Sequence, residues 1–309
     1  MNIAHITYLL GENSLTINDL VHGDEITEVD AKVFERVMGL HFVPRHNLQT
    51  ISKQILTLIQ KLIYEYPLDL DSIKYVLFAH TADYIEPFGF HYIQNILFQL
   101  KITQAIYFES TLHKCASVFN LLSISEKLFC SLSSTDIILI LVVDITFTPI
   151  LQTIPGSTIL GDAATAILLK KSDCLHQFLD AELASYGQFA KGIWADQNEQ
   201  LLFQSTYIKN MTSLINKILS KNNIVISKIR CVFPHNVNKI SWKQLIHALS
   251  LFPEQVYLDN IATTAHCFGS DPFINLKDGI AKQRIMPGDY YLLVTMGLGA
   301  TFAAGLFKY

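Results

Sequence analysis

Two hydrophobic rhythms alternate along the chain. Residues 137–143 (IILILVV) are an unbroken apolar run of strand length between Asp136 and Asp144, which predicts a strand over 137–144 covered on both faces. Residues 75–82 (YVLFAHTA) predict another buried strand ending in small and polar residues, and 104–109 a short one. Residues 86–100 carry a helical pattern, as do those after position 115 through Leu121, Leu122, Ile124 and Leu128. Residues 161–171 (GDAATAILLKK) open on a turn and become strand-like. The second half repeats the plan: a strand over 230–234, a helix over 241–251 with Trp242 and Leu245 on one face, and a strand over 255–258. A Pro287-Gly288-Asp289 turn then introduces the strand 290–295 (YYLLVT). Strands alternating with helices predict an α/β fold with covered sheets. Each half has a strand leading to a reactive residue, a helix and a late apolar strand, so we expect internal duplication, with halves 1–170 and 171–309.

Composition narrows the class. The 309 residues are 50% hydrophobic and only 16% charged, with a mean hydropathy of +0.30. That fits extensive burial, or further surface buried in an oligomer. No apolar run is long enough to span a bilayer, and the N-terminal MNIAHITYLLGEN lacks a basic n-region and a small-residue cleavage site. A net charge of −4 gives no support to nucleic-acid binding. The five cysteines (115, 130, 174, 231 and 267) are odd in number and scattered, without a CxxC pair. They argue against a disulfide framework or a structural zinc, and for a reducing, cytoplasmic setting.

Cys115 is the leading candidate for chemistry. It sits in His-Lys-Cys-Ala-Ser-Val-Phe (113–119), where a polar stretch ends and a buried helix begins. A helix N-terminus favours a thiolate through its dipole and unpaired N–H groups. The competing reading is a small hydrophobe in the core. His235 directly follows an apolar strand, and His266 lies in the loop Thr-Ala-His-Cys-Phe-Gly-Ser-Asp-Pro (264–272). Strand ends in α/β sheets are where sites assemble. Gly297-Leu298-Gly299 follows the last long strand and could simply form a tight turn. Together these residues could supply a thiol nucleophile, imidazole partners for it, and backbone N–H donors for an oxyanion.

Taken in order, Cys115-Ala116-Ser117, Gly161-Asp162-Ala163-Ala164-Thr165-Ala166, His235-Asn236-Val237-Asn238, the site loop, Pro287-Gly288-Asp289 and the closing Gly-x-Gly resemble the thiolase superfamily. The chain is most similar to ketoacyl-ACP synthase III. The resemblance implies a thiolase fold, with duplicated βαβαβαββ halves in a five-layered α-β-α-β-α arrangement, and two-fold homodimers. It makes Cys115 the acylated nucleophile, His235 a catalytic histidine, and the backbone N–H groups of Cys115 and Leu298, held by Gly297 and Gly299, the oxyanion hole. It calls for no metal or resident cofactor. The substrates would be acyl thioesters of coenzyme A or of acyl carrier protein.

Three departures qualify the resemblance. Where the synthases carry asparagine, this chain has Ala265-His266-Cys267, so His266 would give a Cys-His-His set. Asp271 offers a carboxylate partner for His235, giving a Cys-His-Asp set like that of relatives in antibiotic pathways that acylate an alcohol or amine; it could equally cap a helix before Pro272. The tryptophan and arginines that anchor coenzyme A align with Val33, Val37 and Ile154, which favours a carrier-protein donor. Lys239 and Lys243 could meet such a carrier, or form a solvated face with Trp242 turned inward. His80 and His91 lack metal spacing, His113 could line an acyl tunnel or the surface, and Phe88 and Phe90 could shape a substrate pocket. The expected activity is acyl transfer through acyl-Cys115, followed by decarboxylative Claisen condensation with a malonyl-type thioester, in polyketide or related metabolism. The alternatives are ester or amide formation at a Cys-His-Asp site, and a catalytically silent partner subunit.

Overall fold

The computed structural model describes residues 1–46, 51–82, 91–171 and 175–309; Phe88, Phe90 and Cys174 lie outside the described residues. The first half contributes strands β1 (Asn2–Leu10), β2 (Ile73–Ala79), β3 (Ile106–Ser110), β4 (Ile137–Asp144) and β5 (Ala163–Lys170). The second contributes β6 (Gln177–Ser185), β7 (Ile229–Pro234), β8 (Tyr290–Gly297) and β9 (Thr301–Lys308). Their spatial order is β7-β8-β9-β6-β1-β5-β4-β2-β3. The halves meet edge to edge at the register pair Asn2 and Gln177.

The pairing pattern repeats on either side of that junction. Strand β2 is parallel to β3 and β4, while β5 is antiparallel to β4 and β1. In the second half β7 is parallel to β8, while β9 is antiparallel to β8 and β6. The counterpart of β3 is a parallel bridge between Val232 and Val256. The strand expected over 255–258 is therefore shortened. A 3₁₀ turn, Pro253–Gln255, comes immediately before Val256, and the chain turns again at 259–260, so little length is left to pair.

Helices cover the sheets in five layers. Helices α1 (Ile51–Glu65) and α2 (Tyr92–Gln99) pack outside the first half, while α4 (Gln197–Lys221) and α5 (Lys239–Ala248) pack outside the second. Helices α3 (Ser117–Leu128) and α6 (Asp271–Ala281) lie between, each touching strands of both halves. This is the layering that the family resemblance implies. The unbroken apolar run in β4 follows from it. Ile138, Ile140 and Val142 join the central core, while Ile137, Leu139, Leu141 and Val143 join the outer core against α1 and α2.

Helix α6 is fixed at two places that matter for the site. On one side Glu65 of α1 accepts hydrogen bonds from His5, Thr7 and, at 2.8 Å, Lys277 of α6. On the other, a Cβ at Gly279 would stand 2.4 Å from the Phe233 ring of β7. Gly279→Ala should push α6 from the sheet and cost about 1–3 kcal/mol, measurable as a lower denaturant midpoint with an unchanged slope.

Candidate active site

Cys115 lies on a 3₁₀ turn, Lys114–Ala116, that runs directly into α3. The expected helix start is thus one tight turn followed by the helix. The turn is entered through Lys114 in the left-handed region, at φ 51°. Two glycines hold it from opposite sides. A Cβ on Gly297 would stand 1.9 Å from the His113 carbonyl oxygen and 3.1 Å from the Cys115 nitrogen. A Cβ on Gly269 would stand 3.0 Å from the Cys115 carbonyl oxygen. The closing Gly297-Leu298-Gly299 turn therefore does lie against the cysteine loop. Cys115 itself is buried, with Sγ 3.8 Å from His266 Nε2 and 3.5 Å from Thr81 Oγ1.

The far side of His266 is held by Asp271. Nδ1 of the ring stands 2.5 Å from Asp271 Oδ2. The carboxylate also accepts the backbone N–H groups of Asn236 at 2.6 Å and Cys267 at 2.8 Å. This corrects the expected pairing: the Asp271 carboxylate faces the His266 ring, not that of His235. The reason is local. Ala265 and Phe268 both adopt positive φ, 49° and 52°. They fold the loop back so that Asp271, in the first turn of α6, reaches the ring five residues earlier. The His266 backbone is pinned as well, since its N–H donates to the Ile159 carbonyl and its carbonyl accepts from Gly161. The GDAATA segment thus acts as a brace. Asp162 in turn accepts His46 N–H and both the N–H and hydroxyl of Thr146. Burial disfavours charge on His266, but the Asp271 carboxylate outweighs it and raises the imidazole well above its usual range.

His235 is the opposite case. Its ring lies 6.0 Å from that of His266 and 5.6 Å from Trp242, centroid to centroid. Burial, aided by the neighbouring His266, lowers its pKa to about 3, so it is a neutral imidazole. Nε2 meets the Tyr207 hydroxyl at 3.3 Å, and Nδ1 has no hydrogen-bond partner. The Trp242 indole N–H donates to the His235 carbonyl at 3.0 Å, so Trp242 is a core residue.

Several contributors carry no sequence signal. Thr81, Tyr207 and Asp144 sit at ordinary-looking strand ends or on helix faces. Asp144 is buried at the end of β4, accepts the Thr81 N–H at 2.6 Å, and is raised by burial to about 7. Asn236 and Asn275 bond each other behind the loop, at 2.8 Å, and Asn275 also donates to the Pro234 carbonyl. Asn238 instead caps α5 through the Ser241 N–H. Other sequence candidates are spent elsewhere. His80 bonds the Ala82 carbonyl and Glu109, and His91 precedes α2. The Lys239 stem lies over Gly39, and Lys243 is exposed. Val33 and Val37 are solvent-exposed. Among the described residues there is no cluster of three His, Cys, Asp or Glu that could hold a metal, and no helix long and apolar enough to cross a membrane.

The family of 3-oxoacyl-[acyl-carrier-protein] synthase III C-terminal regions matches residues 219–309. The beta-ketoacyl-[acyl-carrier-protein] synthase III of Aquifex aeolicus is 23% identical over 154 residues, 48% of this chain and 50% of that protein. The aligned region spans about half the length of such curated relatives. Among solved structures, the acyltransferase ChlB3 superposes with a TM-score of 0.85 at 16% identity, over 99% of this chain and 97% of that one. The Aquifex aeolicus synthase III structure gives 0.82 at 18% identity, over 100% and 99%. At these identities the likeness establishes the fold.

The neutral state of His235 has a measurable consequence. Between pH 3 and its ordinary 6.5, the unfolded chain binds a proton at this ring that the folded chain does not. This group therefore makes stability rise with pH across that window. Lowering the pH from 7 to 5 should cost the wild type about 2 kcal/mol more than His235→Asn, compared by urea unfolding at both values.

Proposed function

For this chain, a thiolase-superfamily protein of the ketoacyl-ACP synthase III-like type, we propose acyl transfer through a thioester on Cys115. The observation that carries the proposal is the line Cys115 Sγ, His266, Asp271, at 3.8 Å and 2.5 Å. An imidazolium beside the sulfur supplies the counter-charge for a thiolate nucleophile. In the first step Cys115 attacks the carbonyl of an acyl thioester, the S–C bond to the enzyme forms, and the donor thiol leaves with the proton of His266. In the second step the now neutral His266 takes a proton from the acceptor as it attacks acyl-Cys115. Collapse returns the thiolate and the imidazolium. Asp271 stabilises that cation at both stages. The backbone N–H groups of Cys115 and Leu298, on turns held together by Gly297, are the proposed oxyanion donors.

A base backed by a carboxylate suits an alcohol or amine acceptor, so ester or amide formation is the preferred reading. Carrier-bound acyl groups are the preferred donors, because Val33 and Val37 offer no ring or guanidinium to an adenine nucleotide. No resident cofactor enters the scheme, and a homodimer with carrier-protein docking near Lys239 and Lys243 completes it. Decarboxylative condensation is the second reading. It is favoured by the neutral His235 ring beside His266, since two imidazoles can polarise a malonyl thioester. A silent partner subunit would have no use for the aligned cysteine, histidine and aspartate.

Intact-protein mass spectrometry after incubation with acyl-carrier protein or acyl-CoA should show one acyl adduct, absent in Cys115→Ala. An adduct surviving that substitution would remove the nucleophile assignment. His266→Ala and Asp271→Asn should each lower turnover by about 10³-fold or more. Product analysis separates the readings: an ester or amide supports the preferred one, whereas a ketoacyl product with loss of CO₂ from malonyl-carrier protein supports condensation.

A further inference from the structure

The nucleophile has a second polar neighbour that the scheme above leaves unused. The Thr81 hydroxyl approaches Cys115 Sγ to 3.5 Å from the loop that follows β2. Thr81 is not loosely placed. Its backbone N–H donates at 2.6 Å to Oδ1 of Asp144. Asp144 is 2% exposed at the end of β4, and its Oδ2 has no hydrogen-bond partner. A buried carboxyl group costs free energy unless it is fully bonded. Its retention at this point therefore calls for a role, and the groups it holds are Thr81 and the backbone N–H of Ala82.

We propose that Thr81 is a further catalytic residue, its hydroxyl the second hydrogen-bond donor to the Cys115 sulfur, and that Asp144 is the positioning residue that aims it. This rests on Cys115 being the nucleophile. A sulfur bearing negative charge accepts a hydroxyl hydrogen bond more strongly than a neutral thioester sulfur does. The contact is therefore strongest before acylation and again when the thiolate departs as acyl-Cys115 is resolved. His266 delivers and recovers the proton, and Thr81 keeps its own proton throughout. Burial keeps Asp144 protonated further up the pH scale than an ordinary carboxyl, which limits the negative charge it places near the thiolate.

Iodoacetamide alkylation of the full-length protein tests this without any acyl substrate. The rate is followed at the Cys115 peptide by mass spectrometry, at one fixed pH. Thr81→Val, close in shape, should slow alkylation about tenfold, the loss of one hydrogen bond to a charged group. Thr81→Ser should restore most of it. Asp144→Leu should behave like Thr81→Val, while Asp144→Asn, which keeps an oxygen for the Thr81 N–H, should stay near wild type. Wild-type alkylation in Thr81→Val, or a Thr81→Ser rate as low as that of valine, would overturn the role of the hydroxyl. Wild-type alkylation in Asp144→Leu would overturn the positioning role. Circular dichroism on each variant identifies one that has not folded, and Thr81→Val alone then decides the hydroxyl's role. A failure of acyl-adduct formation with the expected alkylation differences would count against the acyl-transfer reading and leave standing the hydrogen bond from Thr81 to the sulfur.

Discussion

The buried contact between His266 and Asp271 is the constraint around which this site is built. A carboxylate with no solvent exposure is tolerable only when its lone pairs are taken up, and removal of one partner from such a pair costs about 3–5 kcal/mol. Here the partners are the His266 ring and the N–H groups of Asn236 and Cys267. Asp271 also occupies the first turn of α6, where the helix dipole favours a negative charge. Satisfying it goes with the positive φ values of Ala265 and Phe268. Those in turn require the braces on both sides: the 159–161 backbone against His266, and the Asn236–Asn275 pair behind the loop.

Duplication explains how such a site can be assembled at all. Cys115 enters on the turn that leads into α3 of the first half, and Asp271 on α6 of the second. Both helices belong to the central layer and begin near the same place. Neither half contains the whole set of groups. The close approach of the two is made by glycines, because Gly269 and Gly297 stand against the Cys115 turn where any side chain would intrude. The interlayer core thus decides the distance from sulfur to imidazole, and clamps such as Glu65 with Lys277 are part of the site's geometry although far from its chemistry.

Most of the layer plan was legible in the chain because burial on both faces leaves an unmistakable run, as in β4, whose predicted and observed limits agree. The strand at 255–258 was overestimated because a short segment such as Gln-Val-Tyr-Leu does not reveal that turns crowd it on both sides. Within the site, the order of Cys115, His235 and His266 pointed to a shared location. The partner of Asp271 could not be read off, because it depends on two residues adopting a backbone conformation that their side chains disfavour. Thr81, Asp144 and Tyr207 were missed for a different reason. A threonine after a strand, an aspartate at a strand's end and a tyrosine on an amphipathic helix are common features, and only long-range geometry sets these apart.

His235 and His266 share one buried pocket. Rings 6.0 Å apart in a buried pocket repel each other when both are charged, so the pocket holds one proton more readily than two. The Asp271 carboxylate directs that proton to His266, and burial leaves His235 neutral. The two rings therefore differ in what they can do chemically. A ring that stays neutral across the physiological range can orient or polarise a substrate but cannot supply a proton on demand. A ring stabilised as a cation can hold a thiolate in place, release its proton to a departing thiol, and become a strong base once the sulfur is acylated. Two imidazoles without a carboxylate would be nearly equivalent, as the polarising task of a condensing enzyme requires. Asp271 removes that equivalence, because its buried carboxylate stands against the His266 ring while His235 meets only the Tyr207 hydroxyl.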